Sequence, residues 1–124
     1  MSGNKLFVDT NILIYFLKGE STVVEFLKDK EIFISFISEL ELLCFPTKDI
    51  SEQTLIKDLI GNCHVVQFNE EIKNLTVEIR RESKVKLPDS IVAATSVFLN
   101  MTLVTAEKGF KNLKSGNTLI IDFE

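Results

Sequence analysis

The chain has 124 residues and a mass of 14.1 kDa, the size of one domain with an apolar core of its own. With 45% hydrophobic and 26% charged residues it has a globular composition, and its longest apolar run, residues 12–17, is far too short to cross a bilayer. A net charge of −4 argues against a dedicated nucleic-acid binder, unless several of the acids are gathered to hold cations.

Residues 5–17, Lys-Leu-Phe-Val-Asp-Thr-Asn-Ile-Leu-Ile-Tyr-Phe-Leu, set the pattern. Leu6, Phe7 and Val8 form an apolar run without alternation, as in a strand buried on both faces of a parallel sheet. Asp9-Thr10-Asn11 ends it with side chains that satisfy free N–H groups at a helix start. Ile12, Leu13, Phe16 and Leu17 then recur at helical spacing as far as Gly19. A second helix is expected over 22–29, opened by a Thr22/Glu25 capping box, and a second strand over 32–37. Ser38 is expected to cap the next helix, with Glu41 three residues on and Pro46 as the stop. Ser51 then caps a helix carrying Leu55, Ile56, Leu59 and Ile60, with Gly61 after it. There follow a strand over 65–68, a helix from Asn69 with Ile72, Leu75 and Ile79 inward, and a helix over 89–99. A strand over 102–105, a short helix over 106–113 and a strand over 118–121 complete the chain. Strands alternating with helices predict a three-layer α/β domain around a parallel sheet.

Asp9, Glu41 and Glu107 each follow a predicted strand within the first turn of a helix, so a parallel sheet puts them at one edge. That edge, the carboxyl ends of the strands, is where ligands bind in open α/β sheets. Asp89 joins them by a different route. Its helix ends just before the fourth strand and must run antiparallel to it, which carries Asp89 back by roughly 16 Å. Each acid alone is explained by capping and the helix dipole: Asp9 as N-cap, Glu41 with Ser38, Asp89 after Pro88, Glu107 behind Thr105. Together they are not, because four carboxylates in one crevice repel each other unless a cation intervenes. Oxygen-only donors suit Mg²⁺ or Mn²⁺.

Other chemistries lack their parts. His64, the one histidine, stands at a strand start and reads as structural. Cys44 and Cys63 have no metal-ligand spacing and read as buried free thiols in a reducing compartment. Glu39 and Asp49 read as solvent-facing. No glycine-rich phosphate loop, G-x-S-x-G elbow or H-E-x-x-H motif occurs. The chain does not open on a basic segment followed by an apolar stretch, so a cytoplasmic location is expected. Ten Phe and a mean hydropathy of +0.18 leave apolar surface for a partner.

Four segments, taken in order, resemble the successive motifs of PIN-domain ribonucleases. They are Val8-Asp9-Thr10-Asn11-Ile12-Leu13, Ser38-x-x-Glu41-Leu42, Leu87-Pro88-Asp89-x-Ile91-x-Ala93-Ala94-Thr95 and Leu103-Val104-Thr105-x-Glu107-x-x-Phe110. In length the chain is most similar to the VapC-type toxins of toxin–antitoxin pairs. The resemblance implies a sandwich around a five-stranded parallel sheet and a Mg²⁺- or Mn²⁺-dependent endoribonuclease. It also implies homodimers and inhibition by a cognate antitoxin. By position it makes Asp9, Glu41 and Asp89 the acidic metal site, and Asn11 and Thr105 the residues that orient it. Glu107 stands where the family has Asp, one methylene shorter, which leaves open whether it ligates directly or through water. Arg80, Arg81, Lys84, Lys86, Lys108 and Lys111 are candidates for holding the RNA backbone, or are ordinary solvated charges. Two alternatives stand beside this reading. One is a PIN-like fold kept as a binding module. The other is a haloacid-dehalogenase-like phosphatase, which needs a second Asp where this chain has Asn11.

Overall fold

Short apolar strands without polar alternation can be buried on both faces only if helices cover both, and the chain folds that way. The computed structural model describes residues 4–122. Its sheet has the strand order β3-β2-β1-β4-β5, with every neighbouring pair parallel. β1 (Lys5–Val8) lies in the middle; β2 (Glu31–Ser35) and β3 (His64–Val66) are laid down on one side of it. β4 (Leu103–Thr105) and β5 (Thr118–Ile120) are laid down on the other. The direction of winding therefore reverses between β1 and β4. Such a switch point opens a crevice at the carboxyl ends of the two strands.

Side chains alternate across the sheet with a period of two. Val8, Ile34 and Val104 face the layer formed by α1 (Thr10–Leu17), α2 (Ser21–Leu27) and α4 (Ile50–Gly61), packing with Ile12, Leu13, Val23, Leu27 and Ile56. Phe7 and Leu103 face the opposite layer, where α5 (Glu70–Glu82) and α6 (Leu87–Leu99) supply Ile72, Ile79, Val92, Ala93 and Ala94. Ala93 and Ala94 are almost wholly buried, and small side chains there let α6 lie close to its neighbours. α3 (Phe36–Leu43) serves both layers, with Leu42 in the first and Ile37 against the second. A 3₁₀ turn, Lys108–Asn112, replaces the short helix expected before β5.

Several helix starts differ from the sequence reading, each for a local reason. α3 begins three residues early: Ser35 is its cap, its hydroxyl accepting from the Ile37 N–H at 3.1 Å, so β2 stops at Ser35 and residues 36–37 are helical. Ser38 is therefore inside the helix and caps nothing. In α4 the cap is Asp49, which accepts both the Glu52 N–H at 3.0 Å and the Ser51 hydroxyl. α2 starts at Ser21 after Glu20 and forms no side-chain cap, so the Thr22/Glu25 box is not made. α6 starts at Leu87 and ends at Leu99, closed by the left-handed backbone of Asn100 (φ 56°). Cys44, the C-cap of α3, is exposed rather than buried; Cys63 is half-buried, and burial pushes its thiol up to about 11. Glu39 is half-buried in the first turn of α3, whereas Asp49 is exposed. Among the described residues no helix is long and apolar enough to cross a membrane.

Candidate active site

The crevice at the switch point has a volume of about 290 Å³ and is lined by Asp9, Thr10, Asn11, Ile14, Glu41, Phe45, Asp89 and Glu107. The four acids come from four separate places. Asp9 follows β1 and caps α1, Glu41 lies inside α3, Asp89 sits in the first turn of α6, and Glu107 follows β4 and caps the 3₁₀ turn.

Asp9 is the fixed member, only 5% exposed. Its Oδ1 accepts the Thr10 N–H at 2.8 Å and its Oδ2 accepts the Thr105 hydroxyl at 2.8 Å. Thr105, wholly buried at the end of β4, also accepts from the Glu107 N–H at 3.0 Å and from Asn11 Nδ2 at 3.4 Å. Asn11 Oδ1 in turn accepts the Ala106 N–H at 3.1 Å. The ends of β1 and β4 are thus tied together through side chains as well as through the ladder.

Burial raises the Asp9 carboxyl to about 6; its bonds to Thr105 and Thr10 oppose the rise, and the charges of Asp89 and Glu41 add to it. The Asp89 carboxyl is also raised, first by burial and then by Glu107 and Glu41, against a smaller opposing effect of Lys86. The acids therefore act on one another across the crevice. No three of them stand in a ready-made cage among the described residues. Glu41 and Glu107 are exposed and Asp89 half-buried, so three of the four acids reach water. That suits Mg²⁺, which keeps several waters and is commonly held by one or two carboxylates rather than by an all-protein cage.

Two residues escaped the sequence reading. Thr10 presents its N–H to Asp9 and its hydroxyl to Glu41 Oε1 at 2.5 Å, joining acids from two elements. Ser38, buried in α3, meets the same hydroxyl at 2.9 Å. The Ser-x-x-Glu spacing was the available signal; it marks one face of a helix and not a cap. Glu107 gives one oxygen to its own turn, Oε1 accepting the Gly109 N–H at 3.0 Å.

The basic candidates separate. Lys86, at the start of α6, is the one whose charge is felt at Asp89. Arg80 donates to the Val85 carbonyl at 2.9 Å, and Lys108 lies 3.9 Å from Asp122. Arg81, Lys84 and Lys111 are exposed. His64 begins β3, at the sheet edge away from the crevice, stacked on Phe33 and 2.8 Å from Glu31.

The family model described as PIN domain matches residues 6–115. The chain belongs to the PIN domain family. The match takes in all four acids of the crevice. Similar solved structures have the same fold: a toxin–antitoxin complex from Klebsiella pneumoniae (25% identity, TM-score 0.81, covering 92% of this chain and 95% of that one). VapBC2 from Rickettsia felis bound to a promoter DNA fragment aligns with 22% identity and a TM-score of 0.83 over 95% and 99% of the two chains. VapBC-1 from nontypeable Haemophilus influenzae aligns with 23% identity and a TM-score of 0.77 over 94% and 97%. No curated protein matches the chain.

Proposed function

We propose that this PIN domain is a Mg²⁺- or Mn²⁺-dependent endoribonuclease and the toxin of a toxin–antitoxin pair. One observation carries the reading: four carboxylates from four elements line a single crevice at the switch point, where two of them are raised by burial and by their neighbours' charge. Asp9, Asp89, Glu41 and Glu107 are the residues that would hold the cation. When bound, it supplies positive charge for the phosphate and a Lewis acid that makes water nucleophilic near neutral pH. The chain's own part is orientation. Thr105 and the Thr10 N–H hold both oxygens of Asp9, and Asn11 holds the loop after β4 in register with α1. Lys86, whose charge is felt at Asp89, would meet the RNA backbone there.

The nucleophile is water rather than the ribose 2′-hydroxyl. Four carboxylates gathered in one crevice suit a cation that activates water, and the one histidine stands at the far edge of the sheet. The products then carry a 5′-phosphate and a 3′-hydroxyl. The similar complexes support a cognate antitoxin as partner and a cytoplasmic setting, and the exposed apolar surface supports a homodimer. The test is to incubate the pure chain with RNA in Mn²⁺ or in EDTA, alongside Asp89→Asn, and to map the product ends. Cleavage that survives EDTA, or a 2′,3′-cyclic phosphate on the product, would overturn the mechanism.

A further inference from the structure

Ser38 is wholly buried in α3, two residues after its first. A serine inside a helix commonly turns its hydroxyl back to the carbonyl one turn earlier. This one crosses instead to Thr10 on α1, 2.9 Å away. The Thr10 hydroxyl also lies 2.5 Å from Glu41 Oε1. A hydroxyl has one proton to give, and an ionised carboxylate only accepts. The Thr10 proton therefore points to Glu41, and Ser38 supplies the second bond by donating to Thr10. The Thr10 backbone N–H is meanwhile held by Asp9 Oδ1.

We propose that Ser38 and Thr10 are positioning residues for the crevice. The directed chain Ser38 to Thr10 to Glu41 fixes an otherwise exposed carboxylate against the residue that also fixes Asp9. Glu41 lies inside α3, and among the described residues no backbone N–H bonds its carboxylate, unlike those of Asp9 and Glu107, which cap their own helices. Its place depends on side chains alone. The chain sets the spacing of Glu41 from Asp9, and hence the fit of the cation; this rests on the metal-dependent reading above. Hydroxyl partners of metal-holding side chains commonly matter about tenfold or more to affinity.

The direct test measures binding of Mn²⁺ alone, by the electron paramagnetic resonance signal of the free ion, without RNA. Ser38→Ala and Thr10→Val should each weaken binding by about tenfold. The double variant should be no weaker than Thr10→Val, because Ser38 acts only through Thr10. Thr10→Ser, which keeps the hydroxyl, should bind as the native chain does. Native affinity in Thr10→Val or in Ser38→Ala, or losses that multiply in the double variant, would overturn the proposal. A second arm needs no metal. In EDTA, the melting shifts of Ser38→Ala and Glu41→Gln, taken singly and together, should be non-additive, since both touch one network. If the native chain binds no Mn²⁺, the metal reading falls and this cycle decides alone: coupled shifts keep the chain of bonds, and additive shifts overturn it.

Discussion

Asp9 does two things that pull against each other. It caps α1 from a buried position, and it faces two other carboxylates. Its carboxyl rises from 3.8 to about 6, so the folded state holds its proton more tightly than the unfolded chain. Stability from this residue is full below about pH 4 and is lost as pH rises through about 6, a difference of about 3 kcal/mol. Asp89 shifts in the same direction. In EDTA, then, melting temperature should fall between pH 4 and 6, and Asp9→Asn should flatten that fall and melt higher than the native chain at pH 7. Mn²⁺ should raise the native melting temperature by mass action and leave Asp9→Asn nearly unmoved. A native curve indifferent to both pH and Mn²⁺ would remove the case for a shared cation. Glu107 is the opposite kind of residue, exposed and half committed to capping Gly109. Glu107→Gln keeps the capping oxygen and removes only charge. It should lower RNA cleavage, but less than Asp9→Asn does. Glu107→Asp, a better cap and one methylene shorter, should cleave as well as the native chain or faster. Full activity in Glu107→Gln would reduce that residue to a helix cap.

The link between α5 and α6 decides where Asp89 stands, and it separates two basic residues that look alike in sequence. The Val85 carbonyl accepts Arg80 Nη1 at 2.9 Å, and the Ser90 hydroxyl, which lies 2.9 Å from the Lys86 carbonyl, stands 3.2 Å from it. This latch joins the end of α5 to the start of α6 and sets the return path of the chain. Arg80→Gln should therefore cost about 1 kcal/mol of stability and leave the salt dependence of RNA binding unchanged. Lys86→Gln should leave stability unchanged and reduce the salt slope by about 1. Both are measured on an Asp89→Asn background, so that RNA is bound and not cut. The reverse pattern would make Arg80 the RNA contact. Element order and the acid-bearing edge were legible because they depend on patterns local in sequence: apolar runs, helical spacing, an acid soon after three of the five strands. The start of α3 was not. A strand buried on both faces gives no alternation to mark its end, and Phe36 and Ile37 suit a strand as well as a helix. The Ser38/Glu41 spacing pointed to Ser38 as the cap, and the bond from Ile37 N–H to Ser35 puts it three residues earlier. The Thr10–Ser38 contact spans 28 positions and leaves no local pattern. The latch was hidden for the same reason, since an arginine beside a loop reads as a solvated charge until its partner carbonyl is placed.

At the scale of the molecule, the fold leaves apolar surface of two kinds. A groove of about 290 Å³ lies beside the acid crevice and shares Ile14 and Phe45 with it, so anything bound there lies against the site. The outer face of α3 is different. Leu40 and Leu43 stand three apart on one helix face and are each 51% exposed, turned away from the Ser38 face that packs on α1. Leaving two leucines half in water forgoes about 1 kcal/mol or more apiece, and a second copy could cover them while the crevice stays open to RNA. Light scattering of the purified chain should accordingly give twice the 14.1 kDa chain mass. Leu40→Gln with Leu43→Gln should shift it towards the monomer without lowering monomer stability, because neither side chain is part of the buried core. The double variant should keep the Mn²⁺-dependent melting shift, since the acids all come from one chain. A native chain that is monomeric at micromolar concentration would sink the dimer. A dimer indifferent to both substitutions would move its interface off this face of α3.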